Sequence, residues 1–389
     1  MIVKNEAANL PRCLASVAGV VAEMVVVDTG STDDTVAIAQ GLGAKVYPFA
    51  WGNDFAAARN YALQQVHTDW VLALDADEVL RPEIIPQLQR AIQNPQQLVV
   101  NLLRQEIGAA QAPYSLLSRL FRRHPAIQFE RPFHELIDPS VERLLQAEPD
   151  WRVCYLPEIA LDHYGYGIDQ INQRQKWQRA QTMMQAYLDQ YPEDAYVCSK
   201  LGGLYVQTGE FATGLALLQQ GLKTVSDPHS QYELHYHFGL AYSALQQWEA
   251  AEQHYQLALE QPIPEALKIG ARTNLGSLWQ DRGILDAAYR QFQLVVQQAP
   301  QFAAGYFNLG VCLRTLGETE AAIQAYQQAL QLQPDYAEAY QNLGVALLQQ
   351  GQVRESLAAF RQAIGYFEQH QPQTAQDLRQ RLAEMGLMV

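Results

Sequence analysis

The pair Leu-Gly returns at a fixed interval in the second half of the chain: Leu275-Gly276, Leu309-Gly310 and Leu343-Gly344, each 34 residues after the last. A period of this size constrains the fold strongly, because each unit is a supersecondary element that buries its apolar face only against the next. From Tyr306 the pattern runs Leu309-Gly310, Ala322, Tyr326, Ala329 and Pro334; from Arg272 it runs Leu275-Gly276, Trp279, Ala288, Phe292 and Pro300. From Tyr340 it runs Leu343-Gly344, Ser356, Phe360 and Ala363. Two looser units precede these, Leu201-Gly202 with Tyr205 and Gly209, and Phe238-Gly239 with Tyr242, Ala251, Tyr255 and Ala258, offset by 37 residues. Small residues let paired antiparallel helices approach, aromatics fill the gap between them, and the closing proline ends the second helix. The pattern predicts five helix pairs over residues 195–371 and a capping helix within 372–389, over about Thr374–Met385.

This pattern resembles the tetratricopeptide repeat (TPR), and the resemblance implies an all-α solenoid with a concave binding surface. A clamp for a peptide's terminal carboxylate needs Lys and Arg on the inner helices. Those positions hold Ser277, Phe307, Val311, Gln341 and Val345, with Arg314 nearly alone, so an ionic clamp is disfavoured. Asn274, Asn308 and Asn342 recur at the 34-residue step. An amide donates and accepts together, so a row of them can hold an extended peptide backbone. The row is similar to the asparagine ladder of the TPR region in O-GlcNAc transferases, which implies a peptide-binding role; Asn is also simply common at this position, and both readings stand.

The first half is punctuated differently. Met24–Asp28 is an apolar run ending in an acid, Ala44–Phe49 is a second short run, and Trp70–Leu74 is a third, followed by Asp75-Ala76-Asp77. Helical patterns over Thr35–Leu42 and Phe55–Val66 lie between them. Strands alternating with helices predict an α/β domain with a mostly parallel sheet, whose ligands sit at the carboxyl ends of the strands. Asp28 and Asp75 both fall there. Two carboxylates one residue apart past a buried strand suit a hard divalent cation, Mn²⁺ or Mg²⁺.

Four ordered segments, Val3-Lys4-Asn5-Glu6, Val25–Asp33, Ala58-Arg59-Asn60 and Leu74-Asp75-Ala76-Asp77-Glu78, resemble family 2 glycosyltransferases of the GT-A fold over roughly residues 1–165. The closer likeness is to bacterial members fused to TPR arrays. The resemblance implies that Asn5 and Glu6 border the nucleoside of a nucleotide-diphospho sugar and that Asp28 bonds the base or ribose. It places Arg59 and Asn60 near the nucleotide, Asp75 on ribose or metal, and Asp77 on the metal. Asp28 can instead cap a helix starting near Thr32, and Arg59 can pair with an acid. In the family the first strand normally starts several residues before Met-Ile-Val-Lys-Asn-Glu, so the first strand is expected to be truncated or the start placed late.

Inverting transfer needs a base to take the acceptor's proton. The Glu-Asp pair that many members use is not evident. The segments Ser118–Arg123 and Phe129–Glu135 resemble elements of closer relatives, making Glu135 the base candidate and His134 the second. Glu130 or Glu135 can equally pair with Arg119, Arg122 or Arg131. Asp162-His163-Tyr164-Gly165-Tyr166 closes the domain, and His163 is a candidate metal or diphosphate contact or a packed interdomain histidine. The domains expected are thus a glycosyltransferase domain at 1–168, a helical linker at 169–194, and the array.

The chain-wide figures narrow the partners. The 389 residues carry a net charge of −14, a field that repels phosphate backbones and argues against nucleic acid. The four cysteines, Cys13, Cys154, Cys198 and Cys312, are far apart, which fits a reducing, cytoplasmic setting. No signal peptide and no run long enough to cross a bilayer is evident, although a lipid-linked acceptor would place the chain peripherally at the membrane. Two functional readings follow: an inverting, metal-dependent hexosyltransferase using a nucleotide-diphospho sugar, expected to be UDP-linked, and a peptide, protein, saccharide or lipid acceptor, or a TPR scaffold with a degenerate catalytic domain.

Overall fold

A computed structural model describes residues 1–109, 111–165 and 170–387, with the helical backbone alone over 170–176. The expected domain limit at 168/169, Tyr166, and the last two residues of the expected capping segment lie outside the described residues. The chain forms two compact units, Met1–Ser230 and Gln231–Val389.

The first unit opens with β1 (Ile2–Val3), α1 (Leu10–Val17), β2 (Val25–Asp28), α2 (Thr35–Gly41), β3 (Lys45–Pro48) and α3 (Phe55–Gln64). Val25, Val26 and Val27 are all buried because helices cover both faces. Helix α1 turns Leu10, Cys13, Leu14 and Val17 inward, a helical stripe three and four residues apart. Strands β1, β2 and β3 pair in parallel, and β1 is two residues long. The other strands are β4 (Trp70–Leu72), β5 (Glu78–Leu80), β6 (Gln97–Glu106), β7 (Tyr114–Arg122) and β8 (Arg152–His163), with α4 (Ile85–Ala91) and α5 (Asp138–Ala147) between them. They form a second, mixed sheet in the order β4-β7-β6-β8-β5. Parallel pairing returns between β6 and β8, while β4 runs antiparallel to β7, with Val71 opposite Phe121. The run after Trp70 therefore departs from the parallel expectation: its partner is the long β6–β7 hairpin. One face of this sheet packs Leu80, Ile84, Leu88, Val100, Leu102 and Leu161; the other packs Val71, Val99, Phe121, Val141 and Leu144. An apolar cavity of about 400 Å³ is lined by Met1, Ile2, Val25, Trp70 and Leu72 from the two sheets.

Helices α6 (Gln170–Leu188), α7 (Ala195–Gln207) and α8 (Phe211–Thr224) belong to this unit. The expected break at 194/195 is not a break in packing. Arg131 donates to Asp194 at 2.8 Å, Asp194 accepts from Val197 N–H at the start of α7, and Phe133 packs on Leu188, Val197 and Leu201.

The chain continues through α9 (Pro228–Ala244), α10 (Trp248–Leu259), α11 (Ile269–Asp281), α12 (Leu285–Gln298), α13 (Ala303–Leu316), α14 (Thr319–Leu332), α15 (Ala337–Gln349), α16 (Val353–His370) and α17 (Pro372–Glu384). One rule explains the repeat. A Cβ on Gly276 would stand 2.8 Å from the Phe292 ring, one on Gly310 2.6 Å from Tyr326, and one on Gly344 2.8 Å from Phe360. The glycine is where the aromatic of the paired helix lies against bare backbone. Ala375, Leu378 and Leu382 of α17 close the array on Phe360, Ile364 and Phe367. No described helix is long and apolar enough to cross a membrane.

Candidate active site

Nine side chains from strands, turns and a helix form one chain of alternating charge. Glu135 accepts from Arg59 Nε. Arg59 Nη2 donates to Asp75 Oδ1 at 2.5 Å, and Arg119 Nη2 donates to Asp75 Oδ2 at 2.5 Å and Glu78 Oε1 at 2.9 Å. Arg104 donates from Nη1 to Glu78 Oε1 at 2.6 Å and from Nε to Glu106 Oε1 at 2.9 Å. Glu106 Oε2 lies 2.5 Å from His163 Nδ1, and His163 Nε2 lies 3.2 Å from Asp77 Oδ2. Helix α3 supplies Arg59, the turn between β4 and β5 supplies Asp75 and Asp77, β5 begins with Glu78, β6 supplies Arg104 and Glu106, β7 supplies Arg119, and β8 ends in His163.

Electrostatics follow from this order. Burial opposes ionisation of Asp75, yet the guanidiniums of Arg119 and Arg59 hold its carboxyl well below the usual carboxylate range. Burial likewise works against Glu106, but hydrogen bonds from His163 and the charge of Arg104 bring it down to about 2. Burial disfavours charge on His163, and its bonds to Asp77 and Glu106 outweigh that, lifting it to about 9. Arg59, 5% exposed, is raised despite its burial by Asp75 and Glu135.

The expected residues sort into distinct roles by position. Asp75 was expected on ribose or metal; both its oxygens are held by arginines. Arg59 was expected at the nucleotide; it is buried between Asp75 and Glu135. The pairing left open for Glu135 occurs, with Arg59 in place of Arg119, Arg122 or Arg131, while Glu130 pairs with Arg143. Asn60 bonds the backbone of Phe129 twice, through Nδ2 to its carbonyl at 2.9 Å and from its N–H at 2.8 Å, so this amide braces a wall. His134 is exposed at φ +53°, its ring edge-on to Phe133.

Asp77 and His163 are the expected ligands that meet. Among the described residues no three Asp, Glu, His or Cys side chains converge as a ready set. One carboxylate oxygen and, once its proton is displaced, one imidazole nitrogen could hold a divalent cation, Mn²⁺ more readily than the oxygen-seeking Mg²⁺, with water and phosphate completing the shell, and Glu106 on Nδ1 orients the ring as a carboxylate behind a ligating histidine does. Asp77 and His163 are thus the expected ligands that stand together, while the oxygens of Asp75 are engaged by Arg59 and Arg119. Gly165 makes room: a Cβ there would stand 2.7 Å from the imidazole and 3.4 Å from Asp77 Oδ2.

The loops beyond β1 and β2 lock to each other. Asn5, at φ +57°, accepts from Thr32 N–H at 2.7 Å and donates its own N–H to Ser31 Oγ at 2.9 Å. Asp28 accepts from the N–H groups of Gly30 and Ser31, a turn bond and not a helix cap, since α2 begins at Thr35. Glu6 donates its N–H to Thr35 Oγ1 at 2.8 Å. In the array, Asn274, Asn308 and Asn342 are half-buried on α11, α13 and α15. Asn274 donates to Tyr236 Oη at 3.4 Å, whereas Asn342 donates to the Glu338 carbonyl of its own helix at 2.9 Å.

Sequence reasoning missed Arg104, Glu106 and Arg12. The first two stand two apart at the end of the apolar strand β6, and period two puts both on one face. That charged pair in an apolar run is the signal. Arg12 on α1 stacks 3.6 Å over the ring of Tyr164, and the Tyr164 backbone N–H donates to the Asp77 carbonyl. No motif marks it.

A family profile described as Glycosyl transferase family 2 matches residues 1–154, and profiles for TPR repeats match 312–351 and 337–370. The chain is 47% identical over 301 residues to a TPR repeat-containing protein of Synechococcus elongatus, covering 77% of this chain and 75% of that one. It is 31% identical over 180 residues to an uncharacterized glycosyltransferase of Rickettsia felis, covering 44% and 63%. It is 26% identical over 201 residues to the SPbeta prophage-derived glycosyltransferase SunS of Bacillus subtilis, covering 50% and 45%. The chain thus spans less than two thirds of either glycosyltransferase relative. The two halves read from the sequence are both matched, and the chain belongs to the TPR repeat-containing proteins, with a family 2 glycosyl transferase domain at its N-terminus.

Proposed function

We propose that the N-terminal domain is an inverting, metal-dependent glycosyltransferase of the hexosyl type. It takes a UDP-linked sugar and a peptide, protein, saccharide or lipid acceptor on the cytoplasmic side, with the TPR array recruiting the acceptor or a partner through Asn274, Asn308 and Asn342. The observation that supports it most is the Asp75–Glu78 turn. Arginines hold both oxygens of Asp75 and clamp the buried Glu78, while the Asp77 carboxylate is turned to the His163 imidazole; the Asp75 and Asp77 side chains are both partly exposed, at 34% and 28%.

In this reading Asp77 and His163 hold Mn²⁺ or Mg²⁺, which when bound neutralises the charge developing on the leaving diphosphate. Asn5 and Asp28 fix the loop walls against the nucleoside, with Glu6 behind them. Lys4 and Arg12, both exposed, are the cations left for phosphate, since Arg59, Arg104 and Arg119 are spent in the chain. Glu135 takes the acceptor's hydroxyl proton as its bond to Arg59 loosens; His134 is the second candidate. Thermal shift with UDP and Mn²⁺ tests the reading: the wild type is stabilised and Asp77→Ala is not. Absence of any nucleotide-dependent shift, together with no nucleotide release from a panel of sugar nucleotides, overturns it.

The scaffold reading is favoured by one observation, that Glu135 and Arg59 neutralise each other. It expects nucleotide sugar to bind weakly or not at all, with no turnover of any donor.

A further inference from the structure

The segment Glu130–Leu136 closes on itself. Glu130 N–H donates to the Leu136 carbonyl at 2.9 Å and Leu136 N–H to the Glu130 carbonyl at 3.2 Å, an isolated antiparallel bridge. Within the loop Arg131, at φ +75°, and His134, at φ +53°, are left-handed without being glycine. Such backbone costs energy and persists only where contacts on its flanks hold it.

Those contacts come from two directions, both within the first unit. Toward α6 and α7, Arg131 donates to the two oxygens of Asp194 at 2.8 and 3.2 Å and lies 4.7 Å over the Tyr196 ring. Both side chains of this pair are 12% exposed. Phe133 adds apolar packing on Leu188, Val197 and Leu201. Toward the site, the Pro132 carbonyl accepts from Phe55 N–H at 3.0 Å, and the Phe133 ring meets the Phe55 ring edge-on. Glu135 accepts from Arg59, one turn beyond Phe55 on α3.

We propose that Arg131, clasped by Asp194, is a positioning residue for Glu135, so that the first helix of the repeat array belongs to the catalytic frame. The proposal rests on the reading of Glu135 as the base. Glu135 is bracketed by left-handed His134 and the bridge at Leu136. While Arg131 and Phe133 are seated, its backbone is fixed and only side-chain rotation is left to carry its carboxylate from Arg59 to the acceptor's hydroxyl. With the clasp open, the left-handed residues relax and the backbone shifts; a displacement of about 1 Å costs up to about a hundredfold in rate.

The test compares the full-length wild type with Asp194→Asn and Arg131→Lys. Asn caps Val197 N–H as Asp does but carries no charge, so α7 keeps its start. Amide exchange at Phe55, Glu130 and Leu136 is expected to quicken about tenfold in Asp194→Asn, the scale of one lost charged hydrogen bond, with β6 and β7 unchanged. Nucleotide release, from whichever sugar nucleotide the wild type turns over, is expected to lose kcat by about ten- to a hundredfold, with donor KM and the thermal shift by UDP and Mn²⁺ unchanged. Arg131→Lys, which keeps the charge, is expected to fall between the two. Unchanged exchange or unchanged kcat in Asp194→Asn overturns the proposal. Loss of the UDP shift together with kcat also overturns it, since the variant then loosens the whole domain. A wild type with neither shift nor release sinks the glycosyltransferase reading itself, a separate outcome.

Discussion

Gly165 is the residue on which the Asp77–His163 contact most depends, because any side chain there meets the imidazole. Gly165→Ala is expected to weaken binding of UDP with Mn²⁺ by about tenfold, the scale of losing a ligand's support, with little change in melting temperature. Calorimetric titration measures this, and unchanged affinity would remove Gly165 from the site. Arg119 has the opposite character. Its loss leaves Asp75 and Glu78 without one of their guanidiniums in a buried setting, so Arg119→Met is expected to cost about 3–5 kcal/mol in urea unfolding. Arg119→Lys recovers part of that, since an ammonium matches only one of the two carboxylates well. A loss under about 1 kcal/mol would show that water already screens the pair. Three acids of this site, Asp75, Asp77 and Glu78, were legible because they stand together after an apolar run. His163 was expected at the same site as Asp77, but the pairing of Arg59, Arg104 and Arg119 with these acids was not legible, because the three arginines arrive from separate elements and only tertiary packing aligns them.

At the scale of elements, the repeat was readable since its rule is local: a glycine faces an aromatic 16 residues later, as Gly310 faces Tyr326. Gly310→Ala is expected to destabilise by about 1–3 kcal/mol through overpacking. Pairing it with Tyr326→Leu should relieve the clash, so the double-mutant cycle is expected to be strongly non-additive; additive losses would count against the contact. What the repeat did not reveal is where packing divides, because Arg131 and Phe133 tie the start of the array to the α/β fold. The α9–α10 pair carries a pH dependence of its own. His235 Nδ1 and His254 Nδ1 are 3.0 Å apart, and burial, reinforced by His235, lowers His254 to about 4. A histidine depressed in the fold is protonated first in the unfolded chain. Stability is therefore full above the unfolded value of about 6.5 and falls as pH drops from there toward 4, by on the order of 1–2 kcal/mol. His254→Phe should flatten this limb of the melting-temperature profile; an unaltered limb would assign it elsewhere.

Across the whole molecule the acid excess is even, with 18 basic and 26 acidic residues in the first unit and 9 and 15 in the second. The family resemblance placed Arg59 near the nucleotide of an anionic donor. The structure spends Arg59 inside the nine-residue chain, and that chain obeys simple counting. It alternates in sign and both its ends are acids, so it holds five carboxylates against three guanidiniums and one imidazole. Even with the imidazole charged, one negative charge is left over, and no rearrangement within the string removes it. A chelator should therefore abolish the UDP-dependent thermal shift and added Mn²⁺ restore it, while NaCl at matched ionic strength should not, since screening weakens repulsion without supplying the missing sign. The odd length of the string makes the domain a site that admits its anionic ligand only in company.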